Sequence, residues 1–144
     1  MKYINKKLSI DKINFLRIAK KYGTPTYCYS YSRLKENILN FKKNFKSISP
    51  LICFAVKSNT NVHLINEISK LGFGADVVSV GEMMMALKAG ISPKKIVFSG
   101  VGKTTNEISY AIDKKILLIN AESESELNEI ERIGKLKKNK LELV

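Results

Sequence analysis

Leu51-Ile-Cys-Phe-Ala-Val56-Lys57 is a run of six apolar residues closed by a lysine. The run is too short for a helix and lacks the alternation of a half-exposed strand. It reads as a strand buried on both faces, the kind found in parallel sheets. Outward from it lie similar runs at Thr26–Ser30, Ala75–Ser79, Lys95–Ser99 and Ile116–Asn120. Near their middles stand Cys28, Phe54, Asp76, Val97 and Leu118, separated by steps of 26, 22, 21 and 21 residues. The intervening stretches carry helical spacing, so the chain is a βα repeat. Short connections fit either a doubly wound sheet or a (β/α)8 barrel. The even step and the lack of a long crossover favour the barrel. At 144 residues the chain is short for eight units, which take about 250. The expectation is therefore an α/β fold, a partial (β/α)8 barrel of about five units. Leu141–Val144 reads as the start of a sixth strand, which suggests truncation.

Helix ends are marked. Asp11 is placed to cap a helix with Ile13, Leu16 and Ala19 on its apolar face, stopped by Gly23 and Pro25. Gly72 and Gly90 close two later helices. Ser79-x-x-Glu82, Thr104-x-x-Glu107 and Ser123-x-x-Glu126 have the spacing of capping boxes, in which hydroxyl and carboxylate satisfy orphan amides reciprocally.

Apolar residues make up 44% of the chain, a globular composition. The formal charge is +12, from 25 basic and 13 acidic residues. The lysines are spread over most helices and loops, and Arg occurs only at positions 17, 33 and 132. Nucleic-acid readout and phosphate forks recruit Arg, so solvated helix faces are expected and a nucleic-acid partner is not. Met1–Ile10 lacks the apolar core of a signal peptide, and no apolar run is long enough to span a membrane. Cys28 and Cys53 lack metal-ligand spacing and sit in apolar runs, as free thiols do in a reducing cytoplasm.

Lys57 ends its strand at the C-terminal side, the rim that carries the active site in barrels. In an apolar site burial favours the neutral amine, which can attack an aldehyde. The plain alternative is a lysine reaching water from a strand end. Asp76 lies inside Ala75-Asp-Val-Val-Ser79, where a carboxylate is costly unless paired. Lys57 on the preceding strand is the natural partner; the alternative is an Asp76 near the strand start facing solvent. Glu82 is foremost a capping residue. Met83–Met85 reads as a packing face. The single histidine, His63, has no companion ligands, and no Ser/His/acid set is visible. Gly100-Val-Gly102-Lys-Thr104 looks like a phosphate loop, but the Walker pattern would need Gly where Val97 stands. A turn into a capped helix is the better reading.

These residues resemble a known family. Phe54-Ala-Val-Lys57-Ser-Asn59 is similar to the cofactor-lysine segment of the fold-type III pyridoxal-phosphate (PLP) decarboxylases. Gly74–Glu82 resembles the strand and helix start that follow it. Phe98–Thr104 resembles a segment of the diaminopimelate decarboxylase branch. Gly23–Ser30 resembles the approach to the first barrel strand, and Ile119–Ser123 the fifth. The likeness runs from about Asp11 to Ile133, with Ser58 and Val80 as mild departures.

The resemblance implies pyridoxal 5′-phosphate as cofactor, Lys57 as its Schiff-base lysine and Asp76 as an acid beside it. No firm role falls to Asn59. It implies a lead-in over 1–24, a barrel portion over 25–144, and decarboxylation of meso-diaminopimelate to L-lysine and CO2. The full-length form is expected to be a cytoplasmic homodimer. The remaining family site residues and a C-terminal β domain are expected beyond Val144, so this chain alone is expected to be inactive. Two alternatives stand: another enzyme of the group, acting on ornithine, arginine or carboxynorspermidine or racemising alanine; or a non-catalytic remnant that binds a partner.

Overall fold

The computed structural model describes residues 1–137 and divides into two compact units, Met1–Ile48 and Ser49–Val144. The sixth strand expected at Leu141–Val144 lies outside the described residues.

The first unit opens with an antiparallel meander of β1 (Lys2–Ile4), β2 (Lys7–Ile10) and β3 (Ile13–Asn14). Both reversals, Asn5–Lys6 and Asp11–Lys12, place two successive residues at positive φ, which suits the twist of a tight hairpin. This corrects the helix start expected at Asp11. Asn14 caps α1 (Phe15–Tyr22) instead, its side chain accepting from the Leu16 amide at 2.8 Å. Asp11 serves the other helix, α2 (Tyr31–Asn44): it accepts from the Ser30 hydroxyl at 2.7 Å, from the Ser32 amide at 3.2 Å and from the Ser32 hydroxyl. The Ser32 and Ser30 hydroxyls hold its carboxyl at about 2. Gly23 ends α1 as expected. The strand expected at Thr26–Ser30 is absent, because no described strand pairs with these residues and a strand needs a ladder partner.

The second unit is the βα repeat. It runs β4 (Cys53–Ala55), α3 (Val62–Lys70), β5 (Gly74–Val77), α4 (Val80–Lys88), β6 (Ile96–Phe98), α5 (Thr105–Lys114), β7 (Leu118–Ile119) and α6 (Glu124–Lys137). All four strands are parallel and lie in sequence order, with Ala55, Asp76, Val97 and Leu118 in register across the sheet. The order never reverses, so this is the wall of a barrel and not a doubly wound sheet.

One sheet face forms the core. Val56, Ala75, Val77, Ile96, Phe98 and Ile119 are buried there against Ile65, Met83, Ile108, Ile112 and Ile130 of the helices. Each Val, Ile, Met or Phe side chain among them contributes roughly 1.5–3 kcal/mol of burial. Of Met83, Met84 and Met85 only Met83 joins them; Met84 and Met85 are exposed, because consecutive helical residues fan out by about 100° each. Gly74 has no room for a side chain: a Cβ there would lie 2.2 Å from the Lys95 carbonyl oxygen and 2.9 Å from Cys53 Sγ. The close approach of β5 to its neighbours depends on that missing methyl.

Of the three capping boxes only Thr104–Glu107 closes on itself. Glu82 and Glu126 instead reach one residue further back, to the amides of Val78 and Glu122, while Ser79 and Ser123 still cap their helices. Glu107 also takes the Val80 amide at 3.0 Å, tying the start of α4 to that of α5. The Val80 amide, then the Thr104 amide, pull its carboxyl below the ordinary 4.5. A carboxyl depressed by folding stabilises above its unfolded value and loses that contribution as pH falls through its folded value. In urea melts, the excess stability of the wild type over Glu107→Gln is therefore expected to be full above pH about 4.5 and to shrink below it; a pH-independent gap would contradict this.

Candidate active site

At the C-terminal strand ends the backbone stops pairing and the polar side chains begin. β4 ends at Ala55, and Val56–Ser58 turns as a single 3-10 turn lying against β5 and α4. Ser58 pins this turn by donating to the Ala55 carbonyl at 2.8 Å, and the Asn59 amide donates to Val56 at 2.9 Å. Asn59 acts locally, its side chain accepting from the Asn61 amide, and Asn61 in turn caps α3.

Val56 is wholly buried, whereas Lys57, one residue later, is exposed. This corrects the expectation of an apolar, dry lysine. The turn places Lys57 beyond the end of the strand, and the residue is exposed there.

Asp76 sits within β5, half-buried, on the face away from the helical core. Its partner is not Lys57. Among the described residues no ion pair joins the two. The Ser99 hydroxyl donates to Asp76 Oδ1 at 2.6 Å, and Asn120 Nδ2 donates to Ser99 Oγ at 3.0 Å. Ala55, not Lys57, lies opposite Asp76 in the register, which explains the missing ion pair. A hydrogen bond to a carboxylate stabilises by about 1.5–3 kcal/mol, enough to hold this one without a cation. Cys53 shares this face, and burial, then the Asp76 charge, push its thiol up.

Ser99, Asn120 and Lys103 went unnoticed in the sequence. Ser99 and Asn120 follow β6 and β7 directly and have the strand parity of Asp76, a signal that the alternation contains. Lys103 belongs to the phosphate-loop lookalike. Gly100 and Gly102 both take positive φ, so the loop folds back and buries the lysine, whose side chain is 1% exposed. Its Nζ donates to the carbonyls of Gly100 at 2.7 Å and Asn120 at 2.8 Å, and to Glu126 Oε1 at 3.1 Å. The loop is thus a turn into a capped helix, as expected. His63 is exposed at the start of α3. Among the described residues no three His, Cys, Asp or Glu side chains gather as metal ligands, and no helix is long and apolar enough to cross a membrane.

The site thus offers an accessible primary amine at the rim and, on the next strand, a carboxylate held by a serine. An amine of this kind can capture an aldehyde, and a fixed carboxylate suits a cationic nitrogen beside it.

Comparison with known proteins bears on the same segment. A profile described as pyridoxal-dependent decarboxylase, pyridoxal binding domain, matches residues 31–142. The diaminopimelate decarboxylase of Helicobacter pylori strain J99 is 47% identical over 121 residues, which cover 84% of this chain and 30% of that protein. That of Aquifex aeolicus is 44% identical over 139 residues, covering 96% and 33%. A crystal structure of diaminopimelate decarboxylase from M. jannaschii in complex with L-lysine superposes with a TM-score of 0.94 at 33% identity, over 97% of this chain and 34% of that one. The chain spans about a third of the length of these relatives.

Proposed function

The chain belongs to the pyridoxal-dependent decarboxylases, and from that premise we propose that it supplies the first part of a diaminopimelate decarboxylase. In this reading residues 25–144 correspond to the N-terminal portion of its cofactor barrel. The reaction converts meso-diaminopimelate to L-lysine and CO2, which accords with the L-lysine bound to the relative from M. jannaschii. The observation that carries the reading is an exposed Lys57 in the turn after β4 together with a half-buried, serine-held Asp76 on the neighbouring β5.

Lys57 would hold pyridoxal phosphate through its amine, with Asp76 on the neighbouring strand. When bound, the cofactor supplies an electron sink for the pair left behind as CO2 departs. Lys57 would contribute the primary amine that holds the aldehyde of the cofactor. Asp76 contributes fixed negative charge, and Ser99 keeps that charge in place. The free thiols Cys28 and Cys53 fit a cytoplasmic enzyme. A homodimer completes the assembly in this reading.

The direct test is chemical capture. The full chain is incubated with pyridoxal phosphate, reduced with borohydride, and its peptides are weighed. A pyridoxyl mass on Lys57, and not on the other lysines at the same occupancy, supports the reading. Scattered labelling in proportion to exposure would sink it and leave Lys57 as an ordinary surface lysine.

A further inference from the structure

We propose that Ser99 and Asn120 are positioning residues for Asp76, with Lys103 as the anchor of the set, so that one carboxylate oxygen is fixed and the other is presented to the open end of the sheet. This rests on the reading of Lys57 and Asp76 as cofactor residues.

A serine hydroxyl has one proton to donate. Asn120 Nδ2 donates to Ser99 Oγ at 3.0 Å, which directs the hydroxyl proton towards Asp76 Oδ1, 2.6 Å away. The serine therefore acts as a donor to the carboxylate in its charged form. Oδ2 of Asp76 has no hydrogen-bond partner among the described residues, and none of their buried side-chain oxygens is left unpartnered, so Oδ2 is open to solvent. The fixed oxygen sets the direction of the open one.

Asn120 must itself be held. Its amide donates to the Phe98 carbonyl at 2.9 Å, which continues the β6–β7 ladder by one residue. Its carbonyl receives Lys103 Nζ at 2.8 Å. That ammonium also binds the Gly100 carbonyl and Glu126, and lies 5.5 Å from the centre of the Phe98 ring. A lysine with three acceptors and 1% exposure has almost no freedom to move. The chain of contacts thus runs from α6 through Lys103, Asn120 and Ser99 to Asp76. Among the described residues no hydrogen bond joins any of the three to Lys57, so they act through the carboxylate.

Cys53 gives a cofactor-free view of that carboxylate, because the Asp76 charge is one of the two influences that raise its thiol. In a Cys28→Ser background, the pH profile of Cys53 alkylation by iodoacetamide is measured for the full chain. Asp76→Asn is expected to move the profile to lower pH. Ser99→Ala and Asn120→Ala should move it part of the way, because a released carboxylate turns towards solvent. Ser99→Thr keeps the hydroxyl and should restore the wild-type profile. In parallel, the pyridoxal phosphate concentration for half-labelling of Lys57 is expected to rise roughly tenfold in Ser99→Ala, a loss of one strong hydrogen bond to a charged group, and to stay at the wild-type value in Ser99→Thr. If wild-type Lys57 is labelled but Ser99→Ala and Asn120→Ala match the wild type in both measurements, the positioning role is overturned alone. If wild-type Lys57 takes no label, the cofactor reading falls and the proposal with it.

Discussion

Lys57→Ala is expected to lower CO2 release from meso-diaminopimelate by roughly six orders of magnitude, the scale on which removal of a covalent nucleophile acts. The chain spans about a third of the length of its relatives, and the measurement is made in the context of a full-length one. A chimera provides that context, with this chain in place of the matching third of the Aquifex aeolicus relative, to which it is 44% identical over 139 residues. Lys57→Arg should fail as completely, because a guanidinium keeps the charge but stays protonated and captures no aldehyde. Stability should hardly move. Lys57 is exposed and makes no ion pair among the described residues, so its loss falls within about 0.5 kcal/mol. The two effects together separate a nucleophile from a lysine that merely reaches water. The latter would leave both activity and stability near the wild type, and that outcome would remove Lys57 from the site.

The sheet was legible because burial on both faces leaves a period-free apolar run, and four of the five runs became strands. Thr26–Ser30 has the composition of the others but no ladder partner among the described residues, and composition alone does not supply one. The opening meander was hidden for the opposite reason. Residues 2–14 are held by two tight turns with Asn5, Lys6, Asp11 and Lys12 at positive φ, and only Asn and Asp among them favour that conformation. The apolar spacing of Ile13, Leu16 and Ala19 then suggested a helix that begins three residues too early.

The site was half legible. Lys57 and Asp76 stand out because each is a charge set in an apolar run. Their joint environment did not. Sequence order makes their strands neighbours, but register decides which residues face each other, and the register sets Ala55 opposite Asp76. The 3-10 turn after Ala55 then moves Lys57 to the rim. What Asp76 does pair with lies 23 residues on, in the first residue after β6, and becomes visible only once the strands are aligned. The same holds for Lys103. A loop reading assigns it to solvent, and only the convergence of two loops and α6 encloses it.

That enclosure sets the other large expected effect. Lys103→Met should destabilise the protein by about 3–5 kcal/mol, the cost of removing one partner from a buried ion pair. Against a total of roughly 5–15 kcal/mol for a domain, this is a substantial fraction. The methionine can fill much of the space beside Phe98, so packing is not the main loss. The loss is electrostatic: Glu126, only 10% exposed, keeps its charge without the ammonium, and the carbonyls of Gly100 and Asn120 lose a donor. A second change tests that division. Lys103→Met combined with Glu126→Gln neutralises the stranded carboxylate, and its amide still offers an oxygen to the Glu122 amide that Glu126 now accepts from. The double variant should therefore recover a good part of the loss, and urea midpoints of the four proteins in the cycle measure it. If the two changes simply add, the stranded charge is not the cause and Lys103 matters through its carbonyl contacts alone. If Lys103→Met costs nothing, the loop is open in solution, and Asn120 is not held there.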